Sequence, residues 1–472
     1  MKTVCKKPYF YSYSYSYSRA LLRSPATTTT NQHRLQSTSN QIRNVLPDAP
    51  PAHKKPSPLA IMPTRALLRS LLFTSVMSSP LLLGPSLALM KSLVESKSVL
   101  LSPARNPLVN YLLRISIYNH FCAGTNEAEV RRTVSDMKQL GFTGVILGYG
   151  REVVVNESSA TAEGDKSRQA AYEGAVEEWK QGNLRTLKMI GSGDYLGIKF
   201  TGAGPAAVEA LSRGDPVPPP PIRDAMREIC GEIAAQGSRL WIDAEQQIFQ
   251  PTIDAWTIDL MREFNRSRTV VFNTVQAYLK ASAESVNNHL LLSQKEGWSL
   301  GIKLVRGAYI AHDTRERIHD TKEDTDRNYN TIVEKLLTRQ FVSPTGENAK
   351  FPDVRLFVAS HNAESVQKAH SLHRHRILNG MPTIPVQFGQ LHGMADEVSC
   401  ELVGQSKQSD QSSSNEMEAA PKAFKCLCWG TTEECLHFLL RRAVENKGAV
   451  ERTKHMADAL REETWRRIWQ SS

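Results

Sequence analysis

The chain has 472 residues, 40% of them hydrophobic and 22% charged, which leaves room for a large core and about one to three domains. Its net charge of +10 suggests a nucleic-acid partner only until it is divided: residues 1–94 hold twelve Lys or Arg against one acid, Asp48, and the rest hold 46 basic and 47 acidic residues. A near-neutral body removes the motive for a nucleic-acid footprint, and seven cysteines without a paired spacing fit a reduced compartment better than a disulfide framework.

Residues 1–60 read as a mitochondrial transit peptide and disordered leader. Lys2, Lys6, Lys7, Arg19, Arg23, Arg34 and Arg43 all precede the first acid, amid Ser, Thr and Tyr; a disordered cytosolic tail is the plain alternative. The Tyr-Ser repeat at 11–18 is low-complexity and implies nothing further. An N-terminal helical region is expected over 61–140. Within it, residues 70–90 carry no charge, enough for a bilayer that needs about 20 residues. Ser79-Pro80 and Gly84-Pro85 interrupt the run, so it reads as broken apolar helices packed on the fold or lying at a membrane surface.

From about residue 100 the period alternates between helix and strand, and residues 127–140 have helical spacing before Gly141 releases the chain. Eight apolar runs follow, at 144–149, 195–200, 240–243, 269–275, 300–305, 354–359, 384–388 and 423–427. Runs buried on both faces and separated by helices predict an α/β fold, a (β/α)8 barrel of TIM type over 141–472. An open doubly wound sheet is the alternative, but no Gly-x-Gly-x-x-Gly follows any run. The segment 214–221, with four consecutive prolines, reads as a loop, and about 403–421, rich in Gln and Ser, as a disordered insertion.

Chemistry in such a barrel collects where strands end at the carboxyl face. Six run ends are polar: Lys199, Asp243, Gln276, Arg306, then Ser360-His361-Asn362, then Gln390 and His392. Lys199 and Asp243 face each other across neighbouring strands, either as a structural ion pair or with Asp243 orienting Lys199 toward a ligand. Beyond the last run, Arg441 and Arg442 lie four and three positions before Glu445, so on a helix Glu445 can brace either planar fork. Two arginines and Lys199 around one pocket predict an anionic, carboxylate-bearing substrate. Cys426, Cys428, Cys435 and His437 raise a zinc reading, set aside because Cys-x-Cys points both thiols to one strand face and no second ligand pair sits at finger spacing; no metal is expected.

Six motifs in this order resemble the eukaryotic mitochondrial proline dehydrogenase family over residues 65–465. They are Ile242-Asp243-Ala244-Glu245, Val275-Gln276-Ala277-Tyr278, Lys303-Leu304-Val305-Arg306-Gly307-Ala308-Tyr309, Ser360-His361-Asn362, Leu391-His392-Gly393-Met394 and Arg441-Arg442-Ala443-Val444-Glu445-Asn446. The resemblance implies a distorted barrel holding non-covalent FAD over its carboxyl face, oxidation of L-proline to 1-pyrroline-5-carboxylate, and ubiquinone of the inner mitochondrial membrane as electron acceptor. It further implies that Lys199, Arg441 and Arg442 pair with the proline carboxylate, that Asp243 supports Lys199, and that Ala308, Tyr309 and Leu391 line the pocket. Gln276, Lys303, Arg306, Ser360, His361, Asn362 and Glu445 then lie along the flavin, with Lys303 near N5 where bacterial relatives carry arginine.

One departure stands out: Cys426 occupies the position of a pocket tyrosine in many relatives. A phenol over the proline ring would help exclude ring-substituted analogues, so hydroxyproline oxidation is the nearest rival. A Schiff-base barrel enzyme using Lys199 or Lys303 is a more distant reading, as is a non-catalytic relative that serves as a binding module.

Overall fold

A computed structural model describes residues 57–96, 98, 100–103, 105–150, 165–310, 312–343, 350–409, 413–445 and 450–470. The expected transit peptide falls almost wholly at 1–56, outside the described residues, and so do the side chains of Arg441, Arg442 and Glu445. The N-terminal helices are α1 (Thr64–Met77), α2 (Pro80–Glu95), α3 (Pro107–Leu113), a π turn (Arg114–Tyr118), α4 (Asn119–Phe121) and α5 (Glu127–Leu140). Then come β1 (Gly144–Tyr149), α6 (Asp165–Leu187), β2 (Tyr195–Ile198), α7 (Pro205–Arg213), α8 (Pro220–Gln236), β3 (Arg239–Ile242), α9 (Gln250–Phe264), β4 (Val271–Gln276) and α10 (Ser282–Glu296). The second half holds β5 (Leu300–Val305), α11 (Lys322–Leu337), β6 (Val354–Ala359), α12 (Ala363–Leu378), β7 (Val386–Leu391), α13 (Asp396–Ser409), α14 (Ser414–Ala419), β8 (Ala423–Trp429), α15 (Thr432–Glu445) and α16 (Val450–Gln470).

The eight strands close into one barrel in chain order, with every neighbouring pair parallel. Each expected run forms a strand, because a residue covered by helices outside and by side chains inside must be apolar on both faces. Turns between layers follow local chemistry. Asn126 caps α5 through Glu129 N, and Gly141 at φ 106° ends it in the left-handed region and hands the chain to β1.

The barrel interior is filled by an aromatic plug of Tyr195, Trp241, Phe272, Phe357 and Phe424 with Ile146. The Tyr195 ring meets Phe272, Phe357 and Phe424 edge-on at centroid distances of 5.4, 5.3 and 5.5 Å. Small residues make that space. A Cβ on Gly301 would lie 2.8 Å from the Phe272 ring, and one on Gly389 would lie 2.6 Å from that of Phe357.

The N-terminal helices are tied to the end of β8 and to α13. Tyr118 Oη donates to Gly430 O at 2.8 Å, Ala123 N to Cys428 O at 2.7 Å, and Ser70 Oγ to Asp396 Oδ2 at 2.9 Å. The apolar run at 70–90 breaks once, at Ser78 and Ser79, where α1 and α2 meet at a 102° bend. Contrary to expectation α2 continues through Pro85; a proline lacks one backbone donor, yet the turns on either side hold. No single described helix is long and apolar enough to cross a membrane. The expected disordered insertion also differs: residues 403–409 complete α13 and 414–419 form α14, with Val403 and Ala419 buried, while 410–412 lie outside the described residues. Buried apolar positions outweigh the polar composition there.

Candidate active site

Successive residues of a strand point to opposite faces, so the plug fixes which positions look inward at the carboxyl rim. Counting in twos from Tyr195, Trp241, Phe272, Phe357 and Phe424 reaches Lys199, Asp243, Gln276, His361 and Cys426. Lys303 pairs in register with Phe357, and Leu391 with Cys426, which itself packs on the plug. Lys303, Gln276, Leu391 and Cys426, within the strands, therefore face inward above the plug; Asp243 meets them through Lys303, and Lys199 and His361 follow where β2 and β6 have ended.

At this rim Lys303 Nζ donates to Asp243 Oδ1 at 2.5 Å and sits 4.1 Å from the centroid of the Trp241 ring. Lys303 is 9% exposed, so its charge is held by one carboxylate and one aromatic face. The sequence assigns Asp243 to Lys199; Lys303 is a partner the spacing does not suggest. Lys199 also acts on Glu245: burial raises the Glu245 carboxyl above its usual range, and the Lys199 charge opposes the rise. Glu245 also accepts from Thr201 N at 3.1 Å and from Thr201 Oγ1. Gln276 Nε2 donates to Glu245 O at 3.2 Å, while its buried Oε1 has no hydrogen-bond partner among the described residues.

Arg306, Ser360 and Asn362 have the opposite parity and brace the rim from behind. The Arg306 guanidinium donates to Asp326 Oδ1 at 2.6 Å, Ser360 Oγ at 2.7 Å and Ser365 Oγ at 2.9 Å, and lies 4.4 Å from the Tyr329 ring centroid. Three of its five donors are thus committed to protein. Asn362 caps α12 through Ser365 N at 3.0 Å. His361 Nε2 accepts from Leu391 N at 3.1 Å, which makes Nδ1 the protonated nitrogen when the ring is neutral.

Ala308 and Tyr309 lie on the loop after β5. Gly307 has φ 136° and a Cβ there would collide with the Tyr278 ring, so only glycine makes this turn. Asp313 ties the loop down, accepting from the Tyr278 hydroxyl and from Gln247 N at 2.9 Å. Behind β8, Lys425 Nζ and Asp396 Oδ1 form a buried pair at 2.9 Å. Burial alone would raise the Asp396 carboxyl, and Lys425 overrides it, holding the acid well below its usual range. Sequence reasoning gave no role to Glu245, Trp241, Asp313 or Asp326. Glu245 lies inside one of the six motifs, but Asp313 meets Tyr278 and Gln247 from distant loops, and the local spacing of Asp326 points only to Lys322, not to Arg306.

Comparison with known families settles the kinship. The profile of the family described as proline dehydrogenase matches residues 130–455, which span β1 to β8 and reach into α16. The chain belongs to the proline dehydrogenase family. It is 34% identical over 238 residues to a probable mitochondrial proline dehydrogenase of Schizosaccharomyces pombe, covering 49% of this chain and 46% of that protein. It is 27% identical over 416 residues to the hydroxyproline dehydrogenase of Rattus norvegicus, covering 76% and 83%. The chain spans 33–46% of the length of the yeast and animal relatives matched at 32–35% identity. Among solved structures, proline utilization A of Bdellovibrio bacteriovorus, crystallised after inactivation by N-propargylglycine, superposes with a TM-score of 0.55 at 19% identity, over 79% of this chain and 38% of that one. At that identity the likeness establishes the barrel fold alone, and it agrees with the (β/α)8 reading.

Proposed function

We propose that the chain is a mitochondrial flavoenzyme that oxidises L-proline to 1-pyrroline-5-carboxylate and passes the electrons to ubiquinone. The observation that carries this reading is the group above the plug, in which Lys303, Asp243, Gln276, His361, Leu391 and Cys426 converge at the rim of a family barrel. The residues present fit FAD. Gln276 Oε1 is a buried acceptor without a described partner, Lys303 brings a cation to the same rim, and on the facing wall a Cβ at Gly148 or Gly197 would meet nothing closer than 3.7 Å. When bound, FAD supplies the acceptor for the hydride leaving the proline ring.

Arg441 and Arg442, on α15, grip the substrate carboxylate together with Lys199, and a two-arginine fork fixes which ring carbon is presented. The same cations disfavour the protonated ring nitrogen, while the carboxylate they hold partly cancels the effect. Lys303, fixed by Asp243 and Trp241, keeps a positive charge where negative charge accumulates. Tyr309 and Leu391 close the pocket around the ring. Gln276, Arg306, Ser360, His361, Asn362 and Glu445 hold or brace the cofactor.

Peripheral association with the inner membrane is supported by the exposed apolar side chains of the N-terminal helices. Leu81 is 85% exposed, and Leu72, Leu89, Leu108 and Tyr111 are exposed with it. Leu81→Ser/Leu89→Ser should release the protein from cardiolipin-containing vesicles in flotation; unchanged flotation refutes that part. Anaerobic titration of purified holoprotein with L-proline tests the activity. Bleaching of the blue visible band is the expected result, and a protein that stays colourless after reconstitution with FAD contradicts it. Hydroxyproline oxidation is the second reading, favoured by Cys426 at the pocket and by the rat relative's name. Comparing kcat/KM for the two imino acids separates them.

A further inference from the structure

Beside the residues assigned to the pocket, at the carboxyl end of β8, the described residues hold one group of buried thiols converging on a point. The sulfurs of Cys122, Cys428 and Cys435 all lie within 4.8 Å of one another, and Cys122 and Cys428 are 3.5 Å apart. Each comes from a different element: Cys122 follows α4, Cys428 is the sixth residue of β8, and Cys435 ends the first turn of α15. Chain order hides this set, since 306 positions separate Cys122 from Cys428. Cys426, on the same strand face as Cys428, packs on the aromatic plug and does not join it.

We propose that Cys122, Cys428 and Cys435 form a binding site for one soft d10 cation, Zn(II) or Cu(I). A metal–sulfur bond of about 2.3 Å requires sulfurs roughly 3.8–4.0 Å apart around a single ion, so the observed separations need only small side-chain adjustments. The scaffold is fixed on every side. Ala123 N donates to Cys428 O at 2.7 Å, and Tyr118, whose hydroxyl is 4.0 Å from Cys435 Sγ, donates to Gly430 O at 2.8 Å. Room is kept by glycine: a Cβ on Gly150 would come within 3.1 Å of Cys435 Sγ. The neighbouring carboxylate, Glu434, accepts from Thr431 N at 2.8 Å and from Thr431 Oγ1 at 3.0 Å, so it caps its own helix.

A donor set of sulfur alone selects thiophilic ions over Mg(II) or Ca(II). Zn(II) displaces three thiol protons; Cu(I) displaces two and leaves one thiol intact. Either complex carries one net negative charge, set at the positive end of α15. Bound metal would join the N-terminal segment, β8 and the root of the helix that bears Arg441 and Arg442. None of the three thiols has a role in the proposed activity.

The test uses the full chain, purified anaerobically with thiols reduced, and titrated separately with Zn(II) and Cu(I) against a competing chelator. Wild type should bind about one equivalent of one ion, and Cys435→Ser should retain less than roughly a tenth of that affinity. Cys230→Ser and Cys400→Ser, at buried cysteines elsewhere, should bind as wild type. Because Cys435→Ser could perturb folding, Co(II) added to wild type supplies a second readout, a near-ultraviolet sulfur-to-metal band. No band and no bound ion overturns the site, as does undiminished binding in correctly folded Cys435→Ser. Recovery of a Cys122–Cys428 disulfide from the anaerobically purified protein also overturns it.

Discussion

Lys303 and Asp243 meet at 2.5 Å across the barrel mouth although they come from β5 and the end of β3, with β4 between them. Their environments are unequal, the lysine side chain being 11% exposed and the carboxylate 31%. Removing either partner should therefore have unequal effects. Asp243→Ala leaves a nearly buried ammonium with the Trp241 ring, a loss of about 2–4 kcal/mol in urea unfolding. Lys303→Met leaves a carboxylate that water can reach, a loss of about 1 kcal/mol. Equal losses would mean that the pair is solvated as a unit.

His120 gives the stability a defined pH dependence. It is stacked on Phe73 at 4.9 Å, and burial pulls its imidazole down to about 4, with Asp396 opposing and Arg69 and Lys425 assisting. The unfolded chain binds a proton near pH 6.5 that the folded chain refuses. Its contribution is thus whole above pH 6.5 and is lost as pH falls toward 4, about 3 kcal/mol in all. His392, lowered to about 3 chiefly by burial, acts with the same sign. Urea midpoints from pH 7 to pH 4.5 should fall for wild type and fall less for His120→Phe.

Two kinds of inward glycine should respond differently to alanine. Gly389→Ala drives a methyl into Phe357, and Gly301→Ala drives one to 2.5 Å from Val271 O; each should destabilise by roughly 1–3 kcal/mol. Gly148→Ala meets only Gly197 O at 3.7 Å. It should melt as wild type while lowering flavin content or raising KM for proline, because it fills the rim and leaves the plug untouched. A destabilised Gly148→Ala would show that the facing wall is packed.

The strands were legible because a closed parallel sheet leaves no polar face, so each strand writes itself as an apolar run. Residues of β7 and β8 beyond those runs were not, since Gln390, Leu391, Cys428 and Trp429 extend the ladders with mixed chemistry. Site positions at run ends were legible for the same topological reason. Their partners were not: Asp243 reaches Lys303 over a strand, Arg306 reaches Asp326 on α11, and Lys425 reaches Asp396 on α13. Local spacing carries no information about contacts made by closing a barrel.

If α15 grips a carboxylate, truncating its arginines should affect binding more than cofactor retention. Arg441→Met and Arg442→Met should each weaken proline binding by about 1–3 kcal/mol, the worth of a charged hydrogen bond. Flavin absorbance per chain should stay near wild type. Unaltered Michaelis constants in both variants would remove the carboxylate from α15.

Cys426 offers the sharpest test of substrate choice. It lies in register with Leu391 and Ile146 and packs on the aromatic plug, so its side chain is at the floor of the proposed pocket. A thiol there is smaller than a phenol and presents less surface to a ring substituent. Cys426→Tyr should add a wall over the imino-acid ring and reject the hydroxylated ring by steric exclusion. A hydrophobic wall discriminates modestly, so the kcat/KM ratio of proline to hydroxyproline should rise about tenfold. The variant should keep its flavin, since Cys426 is not among the residues assigned to the cofactor. A ratio that stays constant while both substrates lose activity together would mean that residue 426 packs the barrel and does not touch the ring.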